Sequence, residues 1–300
     1  MDYTRKARDA IKNKMADLLF LSYILIAGII AGGIAAISGF GIGSILTPLL
    51  SIKVGTKIAI AIVSLPHFLG TAIRFWVLRK NIDQKIFINF GISSIGGGLC
   101  GALLFWQTAT PALTLIFSVI LIFASLMEFS QGYPIKISRS VLVSDKQTPV
   151  SNGLRLSNVL EILMGQPWEF SGLLQKIRVG KILALIGGFI SGFLGGLVGN
   201  QGGIRSAVLL SFTLDRKTFI ATATAIGVIV DLARMPVYFF TQGEALLLGW
   251  RYILVASTGV IIGTGMGITF LKKISPALFR RIVASLVFLL GIFMLYRALT

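Results

Sequence analysis

The sequence predicts an all-α integral membrane protein of two inverted-topology repeats, each a glycine-broken, re-entrant helix pair followed by three transmembrane helices. Three observations predict it. Apolar runs of roughly 20 residues recur, the length that crosses a hydrocarbon core; the chain is 55% hydrophobic and 13% charged, with mean hydropathy +0.88. The chain also repeats itself at a spacing of 160: Leu49-Leu50-Ser51 matches Leu209-Leu210-Ser211, and the same shift pairs Lys57 with Lys217, Gly39 with Gly199, Gly43 with Gly203 and Arg74 with Arg234. Finally, an odd number of crossings per half turns the second copy upside down, and most basic loops then gather on one face.

Residues 1–17 form a basic lead-in (Arg5, Lys6, Arg8, Lys12, Lys14). The apolar run that follows continues past Ile37, too long for a cleaved signal. The first membrane repeat spans 18–130. It reads as a helix to about Ser38, a break over Gly39–Gly43, a short helix to about Ser51, then long helices over Lys57–Leu78, Ile86–Trp106 and Pro111–Phe129. Residues 131–178 are polar, carry Pro134, Pro149 and Pro167, and form a cytoplasmic linker with a short surface helix over Leu154–Phe170. The second membrane repeat spans 179–300: Lys181–Val198, a break at Gly199-Asn200-Gln201-Gly202-Gly203, a short helix Ile204–Leu214, then Lys217–Phe240, Ala245–Leu271 and Pro276–Leu295. Gln242-Gly243-Glu244 is expected as a loop. Pro111-Ala112-Leu113 recurs as Pro276-Ala277-Leu278, and the Gly97/Gly101 pair recurs as Gly263/Gly267. Small residues four apart let helix backbones approach closely in lipid.

Loop charge orients the chain. Arg79, Lys80, Lys85, the linker, Arg216, Lys217, Lys272, Lys273, Arg280 and Arg281 fall on one side, expected to be cytoplasmic. Lys53, Lys57, the 107–110 and 242–244 turns and both termini fall on the other. The basic lead-in pulls against this and leaves the side of the N-terminus open. The expected location is the cell (plasma or inner) membrane, as a multi-pass protein.

Composition narrows the chemistry. The net charge of +17, from 28 basic and 11 acidic residues, would suggest nucleic acid in a soluble chain. Here the basic residues lie between apolar segments, where they meet anionic lipid, so no nucleic-acid partner is expected. The lone Cys100 sits in an apolar glycine-rich run and reads as a buried small hydrophobe. One cysteine and one histidine give no metal-ligand cluster, and no cofactor is expected. A Walker loop, an HExxH motif and a Gly-x-Ser-x-Gly elbow are all missing, so the chain is not expected to be an enzyme.

What remains is charge at bilayer depth. A buried charge costs several kcal/mol and marks a site. Arg74 and Arg234, at matching positions, offer planar forks that fit an oxyanion. The breaks, with Gly39, Gly41 and Gly43 in one half and Asn200, Gln201, Gly202 and Gly203 in the other, can cradle an anion against a half-helix N-terminus. His67 lies two turns before Arg74, and Arg205, whose counterpart is Ile45, lies on the short helix; both are candidate substrate contacts. Asp231, whose counterpart is Thr71, is the candidate for proton coupling. Ser64, Thr222 and Thr224 are possible hydroxyl donors. Other readings stand beside these. Arg74 can snorkel toward the interface, Asp231 can simply neutralise Arg234 one turn away, His67 can be a packed core residue, and the glycines and hydroxyls can serve helix packing.

Gly39-Phe40-Gly41-Ile42-Gly43-Ser44-Ile45-Leu46-Thr47-Pro48-Leu49-Leu50 resembles the glycine-rich signature, ending in Pro-x-Leu, of the sulfite exporter TauE/SafE family of anion permeases. The second copy resembles it less well, with Val208 where Pro48 stands. The resemblance covers nearly the whole chain. It implies an integral membrane protein of two homologous halves that moves sulfite, sulfonates, thiosulfate or related organic anions, coupled to ion gradients. The expected function is therefore a secondary transporter, exporter or permease, of a small oxyanion of that class. Its partners are the anionic substrate, the bilayer and a coupling proton or sodium ion. The exact anion, the direction of flux and the oligomeric state stay open. So do two other classes: a membrane-embedded sulfur-handling enzyme with Cys100 or His67 reactive, and a sensor or assembly subunit docking through the linker.

Overall fold

The computed structural model describes residues 2–38, 41–130, 178–200, 202–209, 212, 214–269 and 276–300. Gly39, Gln201, residues 131–177 and the expected 154–170 helix lie outside them. Among the described residues the chain is helical, joined by short turns. The first half holds α1 (Asp2–Ser38), α2 (Ile42–Val54), α3 (Thr56–Leu78), α4 (Gln84–Gln107) and α5 (Thr110–Ser130); the second holds α6 (Arg178–Val198), α7 (Gly202–Leu209), α8 (Arg216–Leu248), α9 (Trp250–Thr269) and α10 (Pro276–Leu299). Within the described residues seven helices, α1, α3, α4, α6, α8, α9 and α10, are long and apolar enough to cross a bilayer. The chain is a multi-pass membrane protein.

The boundaries follow the glycines. Both long first helices end where the sequence breaks them, at Ser38 and Val198. The lead-in continues α1 as helix. Asp83 and Asp215 cap α4 and α8 by accepting the N–H groups of Ile86 and of Lys217 and Thr218. The expected break at Gln242-Gly243-Glu244 is a kink rather than an open loop: Gln242 leaves helical dihedrals (φ −128°, ψ 18°) and divides α8 into two helical stretches, and the turn to α9 falls at Gly249. A glycine inside a helix costs about 1 kcal/mol, less than leaving several backbone groups without partners near lipid.

Helix pairing is reciprocal between the halves. α1 packs on α9 and α4 packs on α6, each pair being the other's image under exchange of halves; α3 packs on its own counterpart α8, and α5 on its counterpart α10. Glycine makes the first two contacts. A Cβ at Gly101 would stand 2.8 Å from the Leu197 nitrogen, and one at Gly263 would stand 2.6 Å from the Ile29 carbonyl carbon. The small pairs therefore have the close-packing role read from sequence. Because Gly97, Gly98 and Gly101 take the inner face, Cys100 is turned outward and exposed. That corrects the expectation of a buried cysteine.

Counterparts α3 and α8 run antiparallel. Thr71 lies over Gly227 and Ile62 against Gly249, while the Asp83 N–H donates to Thr222 Oγ1 at 3.0 Å. At the end of α2, Lys53 is ion-paired with Asp17 of α1.

Candidate functional site

An interrupted helix leaves its last carbonyls without partners and carries partial negative charge at that end. Inside a bilayer no water satisfies them. Here each break is turned by a glycine with positive φ, Gly41 at 128° and Gly199 at 72°, and each preceding helix end is met by an arginine. Arg74 Nη1 donates to the Ala35 carbonyl at 2.5 Å, and Arg234 Nη1 donates to the Gly195 carbonyl at 2.8 Å. Ala35 and Gly195 are themselves 160 residues apart. The repeated arginine therefore has a repeated structural task. Each arginine thus has a partner in the helix end before any ligand is considered.

Their remaining partners differ. Arg74 Nε donates to the Gly70 carbonyl at 3.2 Å and Nη2 to Thr71 Oγ1 at 3.2 Å. Arg234 instead grips Asp231, with Nε at 3.0 Å and Nη2 at 2.8 Å from Oδ1, and lies beside the Tyr238 ring, whose hydroxyl donates to the Gly196 carbonyl. Asp231 Oδ2 lies 2.7 Å from His67 Nδ1, across from α8 to α3. Thr71 Oγ1 is 3.5 Å from the same nitrogen. One polar chain thus runs Arg74, Thr71, His67, Asp231, Arg234, linking the ends of both broken helices. Arg74 is 2% exposed, Arg234 1% and Asp231 0%, so none of them snorkels.

The halves are unequal along this chain. Thr71 stands where Asp231 does, and Gly227 stands where His67 does. The room left by Gly227 is taken by Arg205: a Cβ there would meet Arg205 Nη1 at 3.0 Å and Thr71 Cγ2 at 3.1 Å. Arg205 is buried and within electrostatic range of Arg74, Arg234 and Asp231. The breaks also touch. Gly43 lies against the Gly199 carbonyl, where a Cβ would be 2.8 Å away, and Asn200 Nδ2 donates to Ser44 Oγ at 3.1 Å. Gly203 instead faces Ala124 of α5, and Gly202 is buried.

Of the candidate residues, the structure brings Arg74, His67, Asp231, Arg234 and Arg205 together, and Gly41, Gly43 and Asn200 lie at the touching breaks. The carbonyls of Ala35 and Gly195, and the gap at Gly227, are parts of this arrangement that the sequence alone does not flag. The 160-residue shift from His67 leads to Gly227, and only the fold reveals what fills it. Among the hydroxyls, Ser64 donates to its own helix and Thr222 accepts from Asp83. Thr224 Oγ1 is fully buried with no hydrogen-bond partner. It shares the face of α8 that bears Gly227, Asp231 and Arg234, and the antiparallel register sets it at the depth of Arg74. No cluster of metal-ligand side chains occurs among the described residues.

No curated protein and no solved structure matches the chain. The model of the sulfite exporter TauE/SafE family matches residues 24–294, so the chain belongs to that family of membrane transporters.

Proposed function

We propose that the chain is a secondary transporter of a small oxyanion, of the sulfite, sulfonate or thiosulfate class, bound in the layer between the two glycine breaks and the two arginines. One observation carries the reading. Arg74 is buried in the middle of the protein with only neutral partners, two carbonyls and a hydroxyl. Asp231 is within electrostatic range of Arg74 but is already gripped by Arg234. Burying a cation without a counter-ion of its own costs several kcal/mol, and a bound anion offsets that cost. The unpartnered hydroxyl of Thr224 at the same depth supplies a further donor. Arg234 borders the same layer but is neutralised by Asp231, so Arg74 is the residue that meets the anion. Arg205 and His67 border it too, and Asn200 holds the breaks together.

The halves act as inverted-topology repeats, each a re-entrant helix pair plus three spans. The antiparallel course of α3 and α8 and the reciprocal pairing of the other helices support this. The described conformation is closed, because the arginines are sealed from both faces. Transport requires the halves to part at the glycine breaks and at the α3–α8 contact, opening the layer to one side and then the other.

The test is a thermal-shift panel of sulfite, sulfate, thiosulfate, sulfoacetate, taurine and simple carboxylates on the purified protein. At 100 times its Kd a true ligand adds about 2.7 kcal/mol of stability. Arg74→Gln should remain folded and lose the shift. An unchanged shift in that variant would remove Arg74 from the site.

A further inference from the structure

We infer that His67, rather than Asp231, carries a proton coupled to the anion held beside Arg74. The inference rests on the oxyanion-transporter reading above and assigns the coupling residue of that site. Asp231 has no room for the task. Its Oδ1 faces Arg234 Nε and Nη2, and its Oδ2 faces His67 Nδ1. A proton on either oxygen would meet a donor already in place. For the same reason Asp231, the buried acid among the described residues, has no free oxygen with which to begin a sodium cage.

His67 has the complementary arrangement. A carboxylate only accepts, so Nδ1 carries the hydrogen that points at Asp231, and Nε2 holds the lone pair. Uptake is one proton from water onto Nε2, and release returns it to water on the other side. His67 is 8% exposed, more than any other member of the Arg74-to-Arg234 chain, so it is the least enclosed member of that chain. Residues 67, 71 and 74 share one face of α3, two turns from end to end. A proton on His67 therefore adds one positive charge to the layer in which the anion sits.

The charged groups around His67 are Asp231 and Arg234 on α8, Arg74 on its own helix and Arg205 on α7. Elsewhere on helices packed against α3, Asp17 and Tyr252 surround the Lys53 ammonium, Tyr238 lies beside Arg234, and Tyr23 and Arg251 face outward. By linkage, whatever the proton does for the anion, the anion does for the proton.

Calorimetry tests this. Thiosulfate, which does not titrate near neutrality, is injected into purified wild-type protein in two buffers of different ionisation enthalpy. The expected result is about one proton taken up per anion, with Kd weakening up to tenfold per pH unit as the proton becomes scarce. His67→Gln should bind thiosulfate more weakly, take up no proton and show a flat pH profile. Asp231→Asn, which keeps the imidazole, should still take up the proton. Proton uptake that persists in His67→Gln, or that vanishes only in Asp231→Asn, overturns the assignment. Binding to wild type without any proton uptake also overturns it, while leaving the transporter reading intact. Should no oxyanion bind wild type at all, the transporter reading falls first and the inference with it.

Discussion

Arg74 and Arg234 occupy the same place in the repeat, yet their losses should be felt differently. Both hold a broken helix by its last carbonyls, and that share of the loss is common. Arg234 also balances Asp231, so Arg234→Gln strands a buried carboxylate and should cost about 3–5 kcal/mol. Arg74→Gln removes a cation whose contacts are all neutral and should cost about 1–3 kcal/mol, the range for a lost buried donor. Melting temperatures of the two variants, measured without ligand, check the order; equal losses would mean that Asp231 does not distinguish them. Thr224→Val makes the opposite kind of prediction. The native hydroxyl has no partner to lose, so the apoprotein should be as stable or more so. Anion affinity should nevertheless fall about fivefold to tenfold, the worth of one hydrogen bond near 1 kcal/mol. Calorimetry with thiosulfate on Thr224→Val, together with its melting temperature, reads both effects.

At the scale of helices, glycine divides into positions that pack and positions that do not. Gly101 and Gly263 press on a neighbouring backbone, whereas a Cβ at Gly96 or Gly265, on the same helices, would have nothing within 4 Å. Gly101→Ala and Gly263→Ala should therefore lower stability by about 1–3 kcal/mol through overpacking. Gly96→Ala and Gly265→Ala should be neutral or gain up to about 1 kcal/mol from helix propensity. Thermal unfolding in detergent separates the two sets, and a uniform response would refute the close approach of α4 to α6 and of α1 to α9. This division explains what was legible in the sequence. The breaks at Ser38 and Val198 and the small pairs at 97/101 and 263/267 could be read because glycine is the residue each situation demands. The end of α8 could be read only in part, since Gln242-Gly243-Glu244 has turn composition and does kink the helix at Gln242, but the chain then resumes helix and the turn waits for Gly249. Nor could the link from His67 to Asp231, which joins residues 164 apart in sequence. Periodicity within a helix shows which side chains share a face, but not which face of another half it meets.

At the scale of the whole molecule, the arrangement of the halves has a consequence that does not depend on any ligand. If α3 and its counterpart α8 cross the bilayer in opposite directions, the turn after α3 and the start of α8 emerge together, as the bond from Asp83 to Thr222 requires. The turn after α4 then emerges with the end of α8 on the opposite face, where Lys57 Nζ donates to the carbonyls of Trp106 and Thr108 and Ile62 meets Gly249. The first face carries Arg79, Lys80, Lys85, Lys181 and Lys217, so the basic-loop rule makes it cytoplasmic. With the lone Cys100 replaced by alanine, single cysteines at Lys80 and Lys217 should be protected from a membrane-impermeant maleimide in sealed cells. Those at Ala109 and Glu244 should be labelled, and permeabilisation should equalise all four. Should Lys80 and Lys217 label on opposite faces, the halves would run in the same direction. The antiparallel contact that brings His67 to Asp231, and Thr224 to the depth of Arg74, would then lose its footing.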